Sequence, residues 1–158
     1  MEKNIIRMIT VLYRKSQSCL SVILSRHNIS TAEMPFLMIL SKSDGAYQEE
    51  LAAMANTDKA AAARSVKSLD DKGFVTRIQD ETDRRQNRVY LTQAARDLLP
   101  AIHEEILSFS RLLTESIDEK SLDSVFSALA KMEENAVRLS ADKKTINHQE
   151  VSGSGKYR

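Results

Sequence analysis

Chain-breaking residues are scarce. Four glycines and two prolines stand among 158 residues, about 4% where average proteins carry roughly 12%. Gly153 and Gly155 lie near the end, leaving Gly45 and Gly73 as the only glycines before them. An all-β fold needs turn residues every ~8–12 positions, so that class is excluded and helix is favoured. The single cysteine, Cys19, excludes an intrachain disulfide framework and fits a reducing compartment. No apolar run approaches the ~18 residues of a membrane span, and the first residues lack the apolar stretch of a signal peptide. The expectation is a cytoplasmic, mostly helical protein without membrane association. A chain of this length suits one domain and buries roughly 70% of its unfolded surface, so its core needs neither metal nor disulfide.

Catalytic patterns are missing too. His27, His103 and His148 are far apart, and no pair has the i,i+4 spacing of a helical metal site. They read as ordinary surface or core histidines. Gly45 and Gly73 are isolated, so no glycine-rich phosphate loop exists. Glu104–Glu105 and Glu133–Glu134 are adjacent pairs, and adjacent helical residues point apart; they read as solvated faces. No enzyme, metal or cofactor is expected. Cys19 reads as a small buried side chain, with one alternative: Lys15, a turn earlier, can lower a thiol pKa.

Charge is informative only once localised. Lysine and arginine total 23 against 22 acids, a balance that by itself speaks against phosphate binding. Yet Lys59 to Leu69 holds three bases and no acid, and so does Arg84 to Arg88. Acids gather between Asp97 and Glu134. A near-neutral chain with two basic islands can bind DNA through the islands.

Apolar spacing organises the rest. Asn4 to His27 reads as one helix. Asn28-Ile29-Ser30 breaks it, and Ser30 with Glu33 resembles a capping box for a second helix, with Pro35 near its first turn; an N-cap at Thr31 suits that proline better. Ser41 to Tyr47 reads as a turn, Gln48 to Ala55 as a short helix, and Thr57 or Asp58 as the cap of a helix to Lys72 closed by Gly73. Phe74 to Gln79 and Arg88 to Thr92 alternate like strands around a polar tip, Asp80 to Asn87. Thr92 caps a fifth helix with a kink or irregular turn expected at Pro100. Asp118 caps a sixth. After Ala141 the chain turns polar, and residues 142–158 read as a disordered tail.

Short helix, tight turn, longer helix and hairpin make a winged helix-turn-helix: mainly α, with a small β-hairpin wing. On a helical wheel, Ala62, Val66 and Leu69 fall within ~60° and form the buried stripe. Lys59, Ala60, Ala63, Arg64, Lys67 and Ser68 take the opposite arc. Such a narrow face can enter a major groove, with bases reaching guanine edges or phosphates and alanine methyls meeting thymine methyls. Asp83, Arg84, Arg85 and Arg88 sit at or beside the hairpin tip, where guanidinium groups can enter a negative minor groove. Asp83, two residues before Arg85, can hold that side chain extended.

Gln48-Glu-Glu-Leu-Ala, Ala61 to Leu69, Asp71-Lys-Gly-Phe-Val-Thr-Arg77, Asp83-Arg-Arg85 and Val89-Tyr-Leu-Thr92 resemble the MarR family, its SlyA branch in particular, over about residues 4–140. The resemblance implies a folded part over 1–141, dimerisation helices at about 4–27 and 93–140, a winged helix-turn-helix at about 30–92, and its helix-turn-helix at 48–71. It implies a homodimer on double-stranded, pseudo-palindromic DNA, acting as a repressor released by a small aromatic or phenolic ligand. The wing arginine is then Arg85, with Asp83 its partner. There are three departures from the pattern: Tyr47 replaces a frequent Thr or Ser cap, Ala61 to Ala63 replace frequent hydroxyl residues, and Ala95 replaces a frequent glycine. Two alternatives stay open. One is a ligand-independent activator or anti-repressor of the same fold, and the other a helical protein-interaction module that binds no DNA.

Overall fold

The computed structural model describes residues 4–82 and 86–141. The described residues divide into two compact units, one up to Ser110 and one from Arg111.

In the first unit, helix α1 spans Ile5–Ser25, and the Asn4 side chain caps it by accepting the Arg7 N–H. It ends where Asn28 takes a left-handed conformation, φ 58°. There the Ile29 N–H donates back to the Leu24 carbonyl, and both side chains are buried. Helix α2 (Met34–Lys42) follows with Pro35 in its first turn, where a missing amide N–H leaves no bond unmade. Phe36, Leu37 and Leu40 enter the core.

Strand β1 (Ala46–Tyr47) comes next, then α3 (Gln48–Met54) and α4 (Lys59–Asp71). Asp58 is the α4 cap, accepting the Ala61 N–H at 2.8 Å. Ala62, Val66 and Leu69 are all buried, as their spacing predicts. Burying a Val or Leu side chain contributes roughly 1.5–3 kcal/mol, so Val66 and Leu69, with Leu51 of α3, hold the two helices together. Gly73, at φ 76°, ends α4.

Strands β2 (Val75–Gln79) and β3 (Asn87–Leu91) form the expected hairpin, with Val75 opposite Leu91 and Ile78 opposite Arg88. The sheet has a third strand: β1 pairs with β3, Ala46 opposite Val89 and Tyr47 opposite Arg88, giving the order β1-β3-β2. This corrects the reading of Ser41 to Tyr47 as a turn throughout. Two residues are too few to show alternation, and only their distant partner makes them a strand.

Helix α5 (Gln93–Leu113) begins at Thr92, whose Oγ1 accepts the Ala95 N–H and donates to the Gly73 carbonyl. It runs continuously through Pro100, so the expected irregular turn is not there. Proline removes one N–H bond to the Arg96 carbonyl, but Ala95 and Ile102 anchor the helix in the core on either side. At the end of α1, His27 and Arg26 pair with Glu105 of α5, His27 at 2.7 Å. Glu105 is therefore a tether and not part of a merely solvated face, and its pKa is lowered chiefly by the hydrogen bond from His27.

The second unit contains α6 (Glu119–Ala141), capped by Asp118, which accepts the Ser121 N–H. The Asp118 carboxyl is held below its usual range by its bonds to Ser121. Val125, Phe126, Leu129 and Val137 of α6 are exposed, Phe126 by 64%. In the first unit, Ile6, Met8, Leu12 and Tyr13 of α1 are likewise exposed. Cys19 lies in α1 and is exposed too, against the expected burial. It sits seven residues, about two turns, beyond Leu12, on the same bare stripe. The 142–158 tail and His148 lie outside the described residues. Among the described residues, no helix is long and apolar enough to cross a membrane.

Candidate nucleic-acid interface

Helix α4 presents Lys59, Ala60, Arg64 and Lys67 to solvent, and Ala63 is half-buried beside them. Two of the bases are already paired: Lys59 donates to Glu49 of α3 at 2.8 Å and Lys67 to Asp71 at 2.6 Å. Arg64 makes no ion pair among the described residues, so its guanidinium is available to an incoming acceptor. Ser68 does not belong to this face. It is half-buried and turned toward the carboxylate of Glu33. The wheel places it on the outward arc, but the turn before α2 covers that side of the helix.

Glu33 is 3% exposed. Its two oxygens accept from Lys72 Nζ at 2.7 and 2.8 Å, and the Ser30 N–H donates to one of them at 2.7 Å. The expected capping box does not open α2: the helix starts at Met34 with Glu33 at its N-cap and no side-chain cap bond, and the Ser30–Glu33 contact instead closes the preceding turn, with the ion pair added. Burial pushes the Glu33 pKa up, but Lys72, Ser68 and Ser30 together hold it below its ordinary 4.5. The folded chain thus favours the charged form more than the unfolded chain does. The stabilisation is complete above the unfolded value and drains as pH falls through the lower folded value. Glu33→Gln should lose about 2 kcal/mol near pH 7, since Lys72 can turn to water once unpaired. Its stability should also fall less steeply than wild type below pH 4.5. Urea titrations at several pH values read both, and parallel acid limbs would remove Glu33 from the acid response.

The wing is fastened at its root. Tyr47 Oη donates to Asp80 Oδ2 at 2.9 Å and accepts from Arg88 Nη2 at 2.5 Å. Arg88 Nε donates to the same Asp80 oxygen at 2.7 Å, Nη1 donates to the Gly45 carbonyl at 3.1 Å, and the guanidinium lies 4.1 Å from the Tyr47 ring centre. The bond to Asp80 is the main reason that the Tyr47 pKa is raised, and Arg88 is raised for the same reason. Arg88, read from the sequence as a base facing DNA, is thus engaged inside the wing root. Tyr47 cannot cap α3 with its side chain, but Glu50 still accepts the Tyr47 N–H at 3.0 Å. The departure at Tyr47 therefore keeps half a cap and adds a wing anchor. Asp80 also accepts the Thr82 N–H and donates its own N–H to the Gln86 carbonyl, framing the tip on both sides. Asp83, Arg84 and Arg85 lie outside the described residues. Asp80 and Tyr47 are the residues missed by the sequence reading; an acid and an aromatic at register positions around Arg88 were the available signal.

Residues 29–86 match the MarR family. A MarR transcriptional regulator from Methanosarcina mazei Go1 superposes with a TM-score of 0.80 at 32% identity, covering 87% of this chain and 99% of that one. The HTH-type transcriptional regulator BilQ of Clostridium symbiosum (strain WAL-14163) is 29% identical over 109 residues, 69% of this chain and 76% of its own length. A MarR family chain of Listeria monocytogenes, solved with a 26mer DNA, has a TM-score of 0.78 at 21% identity and covers 99% of this chain and 100% of its own, a likeness of fold. With its helix-turn-helix, three-stranded wing and this level of identity, the chain belongs to the MarR family of transcriptional regulators.

Proposed function

We propose that this protein is a homodimeric repressor that reads a pseudo-palindromic operator, with α4 in the major groove and the wing over the adjacent minor groove. The observation that carries the reading is the exposed face of α4, where Lys59, Arg64 and Lys67 project past the small side chains of Ala60 and Ala63. The Listeria chain of the same fold, solved with DNA, supports it. A second copy covers the bare apolar faces of α1 and α6, and two-fold symmetry then presents one recognition helix to each half-site.

The proposed signal is a small aromatic or phenolic ligand. A cleft of about 380 Å³ lies between α2, β3 and α5, lined by Met38, Leu91, Leu99 and Pro100 with Arg96 and His103 beside them. Apolar walls with a few cationic or polar groups suit a flat ring bearing a hydroxyl or carboxylate. A ligand favouring an arrangement of recognition helices that mismatches the operator lowers affinity by that preference.

Fluorescence-anisotropy titrations over a range of salt test the DNA reading. Arg64→Ala should weaken operator binding about tenfold or more while weakening random duplex less, as expected for a base-edge contact. Arg85→Ala should weaken both together and lower the salt slope by about one per wing, because minor-groove readout is degenerate and phosphate-like. Asp83→Ala should give part of that loss. A wild-type chain whose affinity for its own upstream region is salt-independent and no better than for random duplex would sink the reading.

A further inference from the structure

Positions 61, 65, 68 and 72 recur along the flank of α4 that faces the 30–33 turn, leading from the end of α1 into α2. The two ends of this flank differ. At the C-terminal end, Lys72 donates to both oxygens of Glu33, which also accepts the Ser30 N–H. One buried side chain thus joins the turn's backbone to the last turn of the recognition helix. The same flank borders a cleft of about 310 Å³ that runs from Glu33 and Ser68 at the clamp to Ala61 and Arg64 nearer the N-terminal end. Beneath α4, the buried stripe supplies Val66 and Leu69 near the clamped end, but only the methyl of Ala62 near the N-terminal end. The N-terminal end is also tied to α3 by the Lys59–Glu49 pair, but an exposed pair restrains weakly, so the two ends are held unequally.

We infer that Glu33, acting through Lys72, is a positioning residue that sets the angle at which α4 presents Arg64 and Lys67, and so the half-site spacing the dimer accepts. This rests on the operator reading above. An apolar pair of the same volume would adhere at least as well as a buried ion pair, but it would not fix direction. Two oxygens held by one ammonium and one backbone N–H define a single approach. The geometry makes the angle consequential. A 13-residue helix is about 20 Å long at 1.5 Å per residue, so a swing of about 10° about its clamped end moves the other end by about 3 Å. At Lys59 that is close to the ~3.4 Å rise of one base pair, and at Arg64, nearer the clamp, the shift is about 2 Å.

The test uses the full chain and a duplex that the wild type selects from a random pool, with versions in which one or two base pairs are inserted or removed between half-sites. Wild type should prefer its selected spacing about tenfold over its neighbours. Glu33→Gln and Lys72→Met should each lose about tenfold on that spacing and little on the others, which flattens the profile. Lys72→Arg, which can still grip both oxygens, should restore it. Lys72 is the more exposed partner, with 24% of its side chain accessible, so Lys72→Met carries the test if Glu33→Gln folds poorly; circular dichroism decides which variants enter. A folded Lys72→Met with the wild-type profile overturns this inference alone. A wild type indifferent to spacing overturns the operator reading and this inference with it.

Discussion

Gly45→Ala is expected to lose about 3 kcal/mol of folding free energy, and Gly73→Ala only about 1. Both glycines adopt left-handed backbone, φ 78° and 76°, so each alanine meets the same conformational penalty. The surroundings separate them. A Cβ on Gly45 would lie 2.6 Å from Cε1 and 2.9 Å from Cζ of Tyr90, whereas one on Gly73 would meet nothing within 4 Å. The ring cannot easily retreat, because Tyr90 stands on the central strand. Nor can the turn: the Gly45 N–H donates to the Val89 carbonyl, its own carbonyl accepts from Arg88, and Asp44 accepts the Leu91 N–H and pairs with Arg96. In a Tyr90→Ala background, Gly45→Ala should cost only the conformational ~1 kcal/mol. Urea unfolding at a fixed protomer concentration measures the cycle. Equal costs in the two backgrounds would mean that the ring is not the obstacle.

Phe126→Glu should have the largest effect on DNA binding. Phe126 is 64% exposed in the single chain, and the proposed dimer buries it against apolar side chains. A carboxylate there must be desolvated without a partner. The variant should elute nearer the 17.8 kDa of one chain than twice that mass. Its operator affinity should fall by about 10²–10⁴-fold, the advantage lost when two linked half-site contacts become independent. Light-scattering chromatography at micromolar concentration reads the mass, and anisotropy reads the affinity. A dimeric Phe126→Glu with wild-type affinity would place Phe126 outside the interface.

What could be read from residue order follows a physical division. Asp58, Thr92 and Asp118 announce their helices because a cap acts within three residues, and the 62–66–69 stripe because burial imposes its period locally. The hairpin is legible for the same reason. Features made by distant partners are not. Strand β1 exists through Val89 and Arg88, some forty residues away, and two residues carry no period of their own. Arg88 looks like any other wing arginine until Asp80 and Tyr47 are seen around it. Ser68 has the wheel angle of a solvent-facing residue, and a covering turn, invisible to the wheel, changes its role. Cys19 fails differently: its apolar neighbours signal burial, but α1 leaves that stripe bare within one chain. Pro100 shows how tertiary anchoring can carry a helix through a missing bond.

The pairing of Lys59 with Glu49 and of Lys67 with Asp71 bears on how a regulator spends its time in a cell. A lysine that already holds a carboxylate gains little by exchanging it for a phosphate, and the displaced acid then repels the duplex. Such an exchange leaves loose, sequence-blind attachment weak. At a matching site, bonds to base edges add to it undiminished. In the proposed complex this exchange would be made at every site alike, so the acids would shorten each stay on DNA and leave the preference for the operator, against roughly 10⁶–10⁹ competing positions, to the base-edge contacts.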